Sequence, residues 1–232
     1  MLRLIALLVV VLLVAPRALA DDSASAPPVA TDSPAVQQRI LQELVDGNAR
    51  FVEERQAPHD LGPSRRHELA KGQHPRAAVL SCSDSRVPPE LVFDQQLGEV
   101  FVVRTAGNVA DGLALGSIEY AVGHLDIPVI VVLGHRSCGA VKATLEVHEK
   151  HLHPHGNVNE IVKLVMPAVL KAEKAGAPDL LDAAIDANVD LAAKALLKRS
   201  RLLAERVKAG KLKIVTAIYD LESGKVEFGG TP

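Results

Sequence analysis

Two apolar runs in this chain end in residues that carry metal-ligand chemistry, and that coincidence restricts the fold more than any other feature. Ala77 to Ser81 leads straight into Cys82-Ser83-Asp84-Ser85-Arg86, and Ile127 to Leu133 leads straight into Gly134-His135-Arg136-Ser137-Cys138-Gly139. Apolar runs this short, bounded by turn-forming residues, predict buried strands. Glu99 to Arg104 and Leu212 to Tyr219 predict two more, and Gly224 with Lys225-Val226-Glu227-Phe228 predicts a turn and a C-terminal edge strand. Between them Leu113 to Leu125, Ala140 to Val147, Ile161 to Ala172 and Leu180 to Val207 have helical periodicity. Strands alternating with helices define an α/β class, a mostly parallel central sheet flanked by helices on both faces.

Ligands in such sheets gather beyond the carboxyl ends of the strands, which is where both segments fall. Cys82 and His135 are more than 50 residues apart, yet adjacent parallel strands would bring them together. Thiolate, imidazole and carboxylate are ligands that zinc prefers, and Cys82, Asp84, His135 and Cys138 would complete a tetrahedral catalytic site. A helix starting at Ser137 or Cys138 would add free backbone N–H groups that favour thiolate and anions. A disulfide between Cys82 and Cys138, the only cysteines of the chain, is the competing reading. It leaves the crowding of Asp84, Arg86 and His135 around them without a reason.

Residues 1–20 have a basic start at Arg3, an apolar run from Leu4 to Ala15 and the small-residue segment Ala18-Leu19-Ala20. That is the pattern of a secretory signal peptide, with the mature chain starting near Asp21. The apolar run is short for a membrane anchor, the alternative reading, because spanning takes roughly 20 residues. Cleavage would take Arg3 and Arg17 from 26 basic side chains and leave the 28 acidic ones, a net charge of about −4. No basic field for nucleic acid and no polybasic membrane patch follows from that balance. Residues 21–33, rich in Ala, Ser, Asp and Pro, predict a flexible lead-in, and 34–232 suit a single domain. Val36, Ile40, Leu41, Leu44, Val45 and Phe51 form a helical stripe from Pro34 to about Glu54. It suits either a core helix or an arm lying on a partner subunit.

The string Cys82-Ser-Asp-Ser-Arg-Val-Pro-Pro-Glu90, the segment Arg104-Thr105-Ala106-Gly107-Asn108 and Gly134-His135-x-x-Cys138-Gly139 resemble the signature of β-carbonic anhydrases. The resemblance runs from about Ile40 to Phe228. It implies one Zn2+ per chain held by Cys82, His135 and Cys138, with Asp84 either taking the fourth position or leaving it to water. Arg86 would be the partner that holds Asp84 away. The implied reaction is reversible hydration of carbon dioxide to bicarbonate and a proton by zinc-generated hydroxide. Gln73, Phe101 and Tyr120 match substrate-pocket residues, with Gln73 reaching the site from the other subunit, and Val109 is a looser match. Gly139 is placed to offer a backbone N–H to an oxyanion.

Some bacterial members carry an inhibitory bicarbonate site with a tryptophan three residues before the first zinc cysteine. Here that position is Val79, and the chain has no tryptophan. The resemblance therefore implies a plant-like, open active site without that brake, although Arg104 matches the arginine of such sites. It also implies a homodimer or a dimer of dimers, and export points to the periplasm. Two other readings keep the same ligands. One is a hydrolase of carbonyl sulfide or carbon disulfide; the other is a zinc-stabilised interaction protein, which has no use for Asp84, Arg86 or Gln73. His148, His151, His153 and His155 are read as an exposed loop rather than a second metal site, and the basic residues of Lys194 to Arg206 as a solvated helix face.

Overall fold

The computed structural model describes residues 33–232. The predicted signal peptide and nearly all of the predicted lead-in therefore lie outside the described residues. Five strands, β1 (Ala77–Cys82), β2 (Val100–Thr105), β3 (Val129–His135), β4 (Lys213–Tyr219) and β5 (Val226–Phe228), form one sheet in the order β2-β1-β3-β4-β5. The first four are parallel and β5 runs antiparallel along β4, which is the predicted mostly parallel sheet with its C-terminal edge strand. Every residue of β1 and of β3 is buried, as expected for central parallel strands covered on both faces.

Alternation along β1 divides the core. Ala78 and Leu80 face a layer built by α4 (Gly112–His124), α7 (Leu180–Arg199) and α8 (Arg201–Lys208), with Ile118, Ala193, Leu196 and Leu203 fully buried. Ala77 and Val79 face the opposite layer, where α1 (Pro34–Val52) buries Val36, Ile40, Leu41 and Leu44. Most of the stripe on α1 thus packs into the chain's own core, while Val45 stays exposed. Asn48 fastens it further: its amide donates to the carbonyls of Val92 and Gly224, and its Oδ1 accepts from Val226 N. The helix starts at Pro34 behind an N-cap at Ser33, whose Oγ accepts from Val36 N.

Two short helices, α2 (Pro63–Leu69) and α3 (Pro89–Val92), escape the periodicity because neither is long enough to show a stripe. The predicted continuous helix from Leu180 to Val207 is broken at Ser200, which has extended backbone angles of φ −118° and ψ 111°. Its hydroxyl caps α8 through Leu203 N and also donates to Glu119 on α4. The helices α5 (Gly139–Glu149) and α6 (Val158–Lys174) pack beside α7 over the carboxyl end of β3. Among the described residues no helix is long and apolar enough to cross a membrane.

Gly47 is where α1 and α3 approach most closely, and a Cβ there would overlap the Phe93 carbonyl oxygen. Helix propensity alone would make Gly47→Ala stabilising by about 0.5–1 kcal/mol. Backbone overlap is expected to reverse the sign and cost about 2 kcal/mol or more, read from urea midpoints.

Candidate metal centre

Parallel pairing of β1 with β3, Ser81 opposite Leu133, brings the ends of both strands together. Beyond them Cys82, His135 and Cys138 offer ligand atoms that all lie within 4.8 Å of one another. All three are buried, with relative exposures of 5, 0 and 1 %. Both cysteines are free rather than bridged, so the competing disulfide is not formed. Cys138 reaches the cluster because the chain turns sharply after β3, with Ser137 at φ +56°, and then enters α5 with Cys138 as its N-cap residue.

The donor set fits a cation. His135 Nδ1–H donates to the Arg136 carbonyl at 2.9 Å, which fixes the tautomer and turns the Nε2 lone pair toward the thiols. Nε2 is buried and has no hydrogen-bond partner. A hydrogen bond from Cys138 is the largest influence on the Cys82 thiol and brings it down to about 4, against its burial. The same contact, with burial, pushes the Cys138 thiol upward. The Gly107 amide also donates to Cys82 Sγ at 3.3 Å. A buried thiolate beside a second thiol and an unpartnered imidazole nitrogen calls for a positive ion, and two sulfurs with one nitrogen suit zinc.

Asp84 lies beside this cluster but is held by Arg86. Its Oδ1 accepts from Arg86 N at 3.0 Å and Nε at 2.9 Å, and its Oδ2 accepts from Arg86 Nη2 at 2.8 Å. Oδ2 stands 3.9 Å from His135 Nε2. The Arg86 hydrogen bonds keep the Asp84 carboxyl well below the usual carboxylate range. Gly139 opens α5, and no atom lies within 4 Å of where its Cβ would be. Val109 is buried against Cys82 and Cys138 in an apolar cluster.

The other sequence-predicted pocket residues are not at the cluster of their own chain. Phe101 on β2 stacks on Tyr120 of α4 with centroids 6.3 Å apart, and Tyr120 on His124 at 5.0 Å. Phe101 is in register with Ala78, four residues short of Cys82 along the neighbouring strand. Gln73 is exposed ahead of β1, at the strand end opposite Cys82. Of the histidine cluster, His148 pairs with Glu173 at 2.9 Å, and the cluster supplies no group of metal-ligand atoms among the described residues.

Three supports escape the sequence reading. Asn188 on α7 donates to the Gly107 carbonyl at 2.8 Å and so holds the turn that serves Cys82. Arg104 donates to the carbonyls of Cys82 and Asp84. The Arg136 amide donates to Tyr219 O, extending the β3–β4 ladder past His135. Asn188 is 81 positions from Gly107, so no local pattern could reveal it.

Fold and cluster together describe an α/β protein with a potential metal site at the carboxyl ends of the neighbouring strands β1 and β3. The family model described as carbonic anhydrase matches residues 77–226. Among curated relatives, a carbonic anhydrase of Mycolicibacterium smegmatis is 47% identical over 185 residues, 80% of this chain and 89% of that protein. Carbonic anhydrase 2 of Mycobacterium tuberculosis is 44% identical over 182 residues, 78% and 87% of the two chains. The solved structure of the β-carbonic anhydrase CcaA superposes with a TM-score of 0.62 at 28% identity, covering 84% of this chain and 93% of that one. The chain belongs to the β-class carbonic anhydrases.

Because the folded pKa of Asp84 lies below its unfolded value of about 3.9, the Arg86 pairing contributes stability above that value and loses it as pH falls toward the folded pKa. The stability gap between the metal-free chain and its Asp84→Asn variant is therefore expected to be full at pH 6. It should narrow by about 0.7 kcal/mol at pH 3.5, measured by urea unfolding.

Proposed function

We propose that this chain is an exported zinc carbonic anhydrase of the open, plant-like kind, hydrating carbon dioxide reversibly to bicarbonate with Asp84 and Arg86 as its gate. The observation that carries the reading is the contrast between two groups 3.9 Å apart: an unpartnered His135 Nε2 facing two thiols, and an Asp84 carboxylate fully engaged elsewhere. Cys82, His135 and Cys138 would hold the zinc, one ion per chain. When bound, zinc acts as a Lewis acid that makes hydroxide available from water near neutral pH.

The chain's own residues supply the rest. Arg86 keeps Asp84 ionised and out of the ligand set, so one position stays open to water. A carboxylate this acidic is a weak base, so Asp84 would orient the attacking water by accepting a hydrogen bond from it, and the proton would leave to solvent past the exposed Arg86 side. The Gly139 N–H, free at the first turn of α5, faces the oxygen on which charge develops. Val109 supplies hydrocarbon for an apolar substrate.

Gln73, Phe101 and Tyr120 enter as the other wall of a site shared between two subunits, in a homodimer or a dimer of dimers. Support comes from β2, which is the outer edge of the sheet, with Tyr120 and Leu113 of α4 beside it 48 and 85 % exposed. An even arrangement across that edge gives Gln73 and the aromatic pair a partner's cluster to line. Export rests on the three-part pattern of residues 1–20.

Stopped-flow measurement on the mature chain, 21–232, should find fast carbon dioxide hydration with about one zinc per chain. Arg86→Ala is expected to keep the metal and lose at least tenfold in rate at pH 7.5, because the released Asp84 competes with water for the open position. Zinc at full occupancy with no hydration would overturn the reading and point to a sulfur-compound hydrolase or a structural zinc protein. Protein recovered from the periplasm should begin at Asp21 and sediment as a dimer or larger even species. A Met1 start or a single-chain species would overturn the export or the shared site respectively.

A further inference from the structure

Asp84 is held twice, by two different arginines. Arg86 takes the side chain. Arg104, at the penultimate position of β2, takes the main chain: its Nε donates to Cys82 O at 3.0 Å and its Nη2 to Asp84 O at 2.5 Å. One planar guanidinium thus spans the carbonyls on either side of Ser83, tying the β1 exit loop to the neighbouring strand. The other main-chain bonds there are Ser83 N to Thr105 O on the same strand β2, the turn closed by Val87 N on Asp84 O, Arg86 N to Asp84 Oδ1, and the Asp84 amide to the Cys82 sulfur. The Ser83 bond also comes from β2, but the other bonds at Asp84 itself are local, and Arg104 alone ties the Asp84 main chain to that strand.

Position matters here because the carboxylate must move to reach a metal. Tetrahedral zinc with bonds of about 2.0–2.1 Å to nitrogen and oxygen separates those two ligand atoms by roughly 3.4 Å. Asp84 Oδ2 already stands 3.9 Å from His135 Nε2. The carboxylate nonetheless stands outside the Cys82, His135, Cys138 ligand group, so a shift of the loop separates a carboxylate beside the metal from one on it, and Arg86, on the same loop three positions from Ser83, moves with it. An anchor from outside the loop that grips Asp84 itself resists such a shift, and Arg104 is that anchor.

We propose that Arg104 is a positioning residue for the open state: its grip on the carbonyls of Cys82 and Asp84 keeps Asp84 off the metal. The proposal rests on the gating reading above and deepens it. In this chain the Arg104 guanidinium serves the loop backbone, and its two bonds there give the arginine a task that needs no bound bicarbonate.

The test uses the metal-loaded mature chain, with cobalt(II) in place of zinc so that the visible absorption bands report the ligand set. Arg104→Ala is expected to keep about one metal per chain, to shift the cobalt bands in the direction that Arg86→Ala shifts them, and to lower hydration by tenfold or more at pH 7.5. Arg104→Lys, which keeps the charge but cannot span two carbonyls, should fall between; it also decides the matter if the alanine variant fails to fold. Placed on an Asp84→Asn background, Arg104→Ala should change neither bands nor rate by more than twofold, because no carboxylate remains to close on the metal. Equal losses in both backgrounds, loss of metal, or wild-type bands in both Arg104 variants would overturn the proposal. A silent Arg86→Ala would instead overturn the gate and the proposal with it, while an effective Arg86→Ala beside a silent Arg104→Ala overturns the proposal alone.

Discussion

The parallel ladder between β1 and β3 is the interaction on which this site depends. Its register, from Ala78 opposite Ile130 to Ser81 opposite Leu133, sets Cys82 beside His135, and a slip of one residue would turn every side chain of β1 to the other face. The register is specified by burial on both sides. Val79 and Leu80 are both fully buried but belong to different layers, so neither can trade places without exposing apolar surface or leaving a void. A hydrophobic requirement spread over two helical layers thereby fixes a distance between polar atoms.

Beyond the strand ends the physics changes from packing to electrostatics. Three ligand groups are nearly excluded from water, and one of them, the Cys82 thiol, is strongly acidified by its neighbours. Burying anionic sulfur without a counter-charge is costly, and the Arg86 guanidinium is committed to Asp84. The Gly107 amide and the thiol–thiol hydrogen bond compensate that charge in part, and the donor set suits a cation.

Much of this was legible in the sequence because strand ends and ligand residues coincide. The four parallel strands, the edge strand and the Cys82, His135, Cys138 set follow from apolar runs and from the chemistry of what ends them. What stayed hidden has identifiable causes. The turn at Ser200 carries no proline or glycine, and its break comes from a hydroxyl that caps α8 and reaches Glu119. The α1 stripe could not declare which surface it covers, since an own sheet and a partner's are equally apolar. Arg104 and Asn188 act on backbone carbonyls, and backbone acceptors leave no mark in a sequence.

The remaining asymmetry lies in how the pocket is divided. Asp84, Arg86 and the Gly139 amide, to which the proposed reading gives the handling of charge, come from the same strand ends as Cys82, His135 and Cys138, where ladder register and an Asx-type turn position them. Phe101 sits four residues back along an edge strand, with Tyr120 beside it on α4, and Gln73 at the opposite strand end. A single chain has no means of bringing those to its own cluster without breaking β1. Apolar lining for a small linear substrate tolerates looser placement than proton handling does, because dispersion and exclusion of water are non-directional. A two-subunit site would therefore leave the exacting chemistry to one chain and the forgiving contacts to an interface.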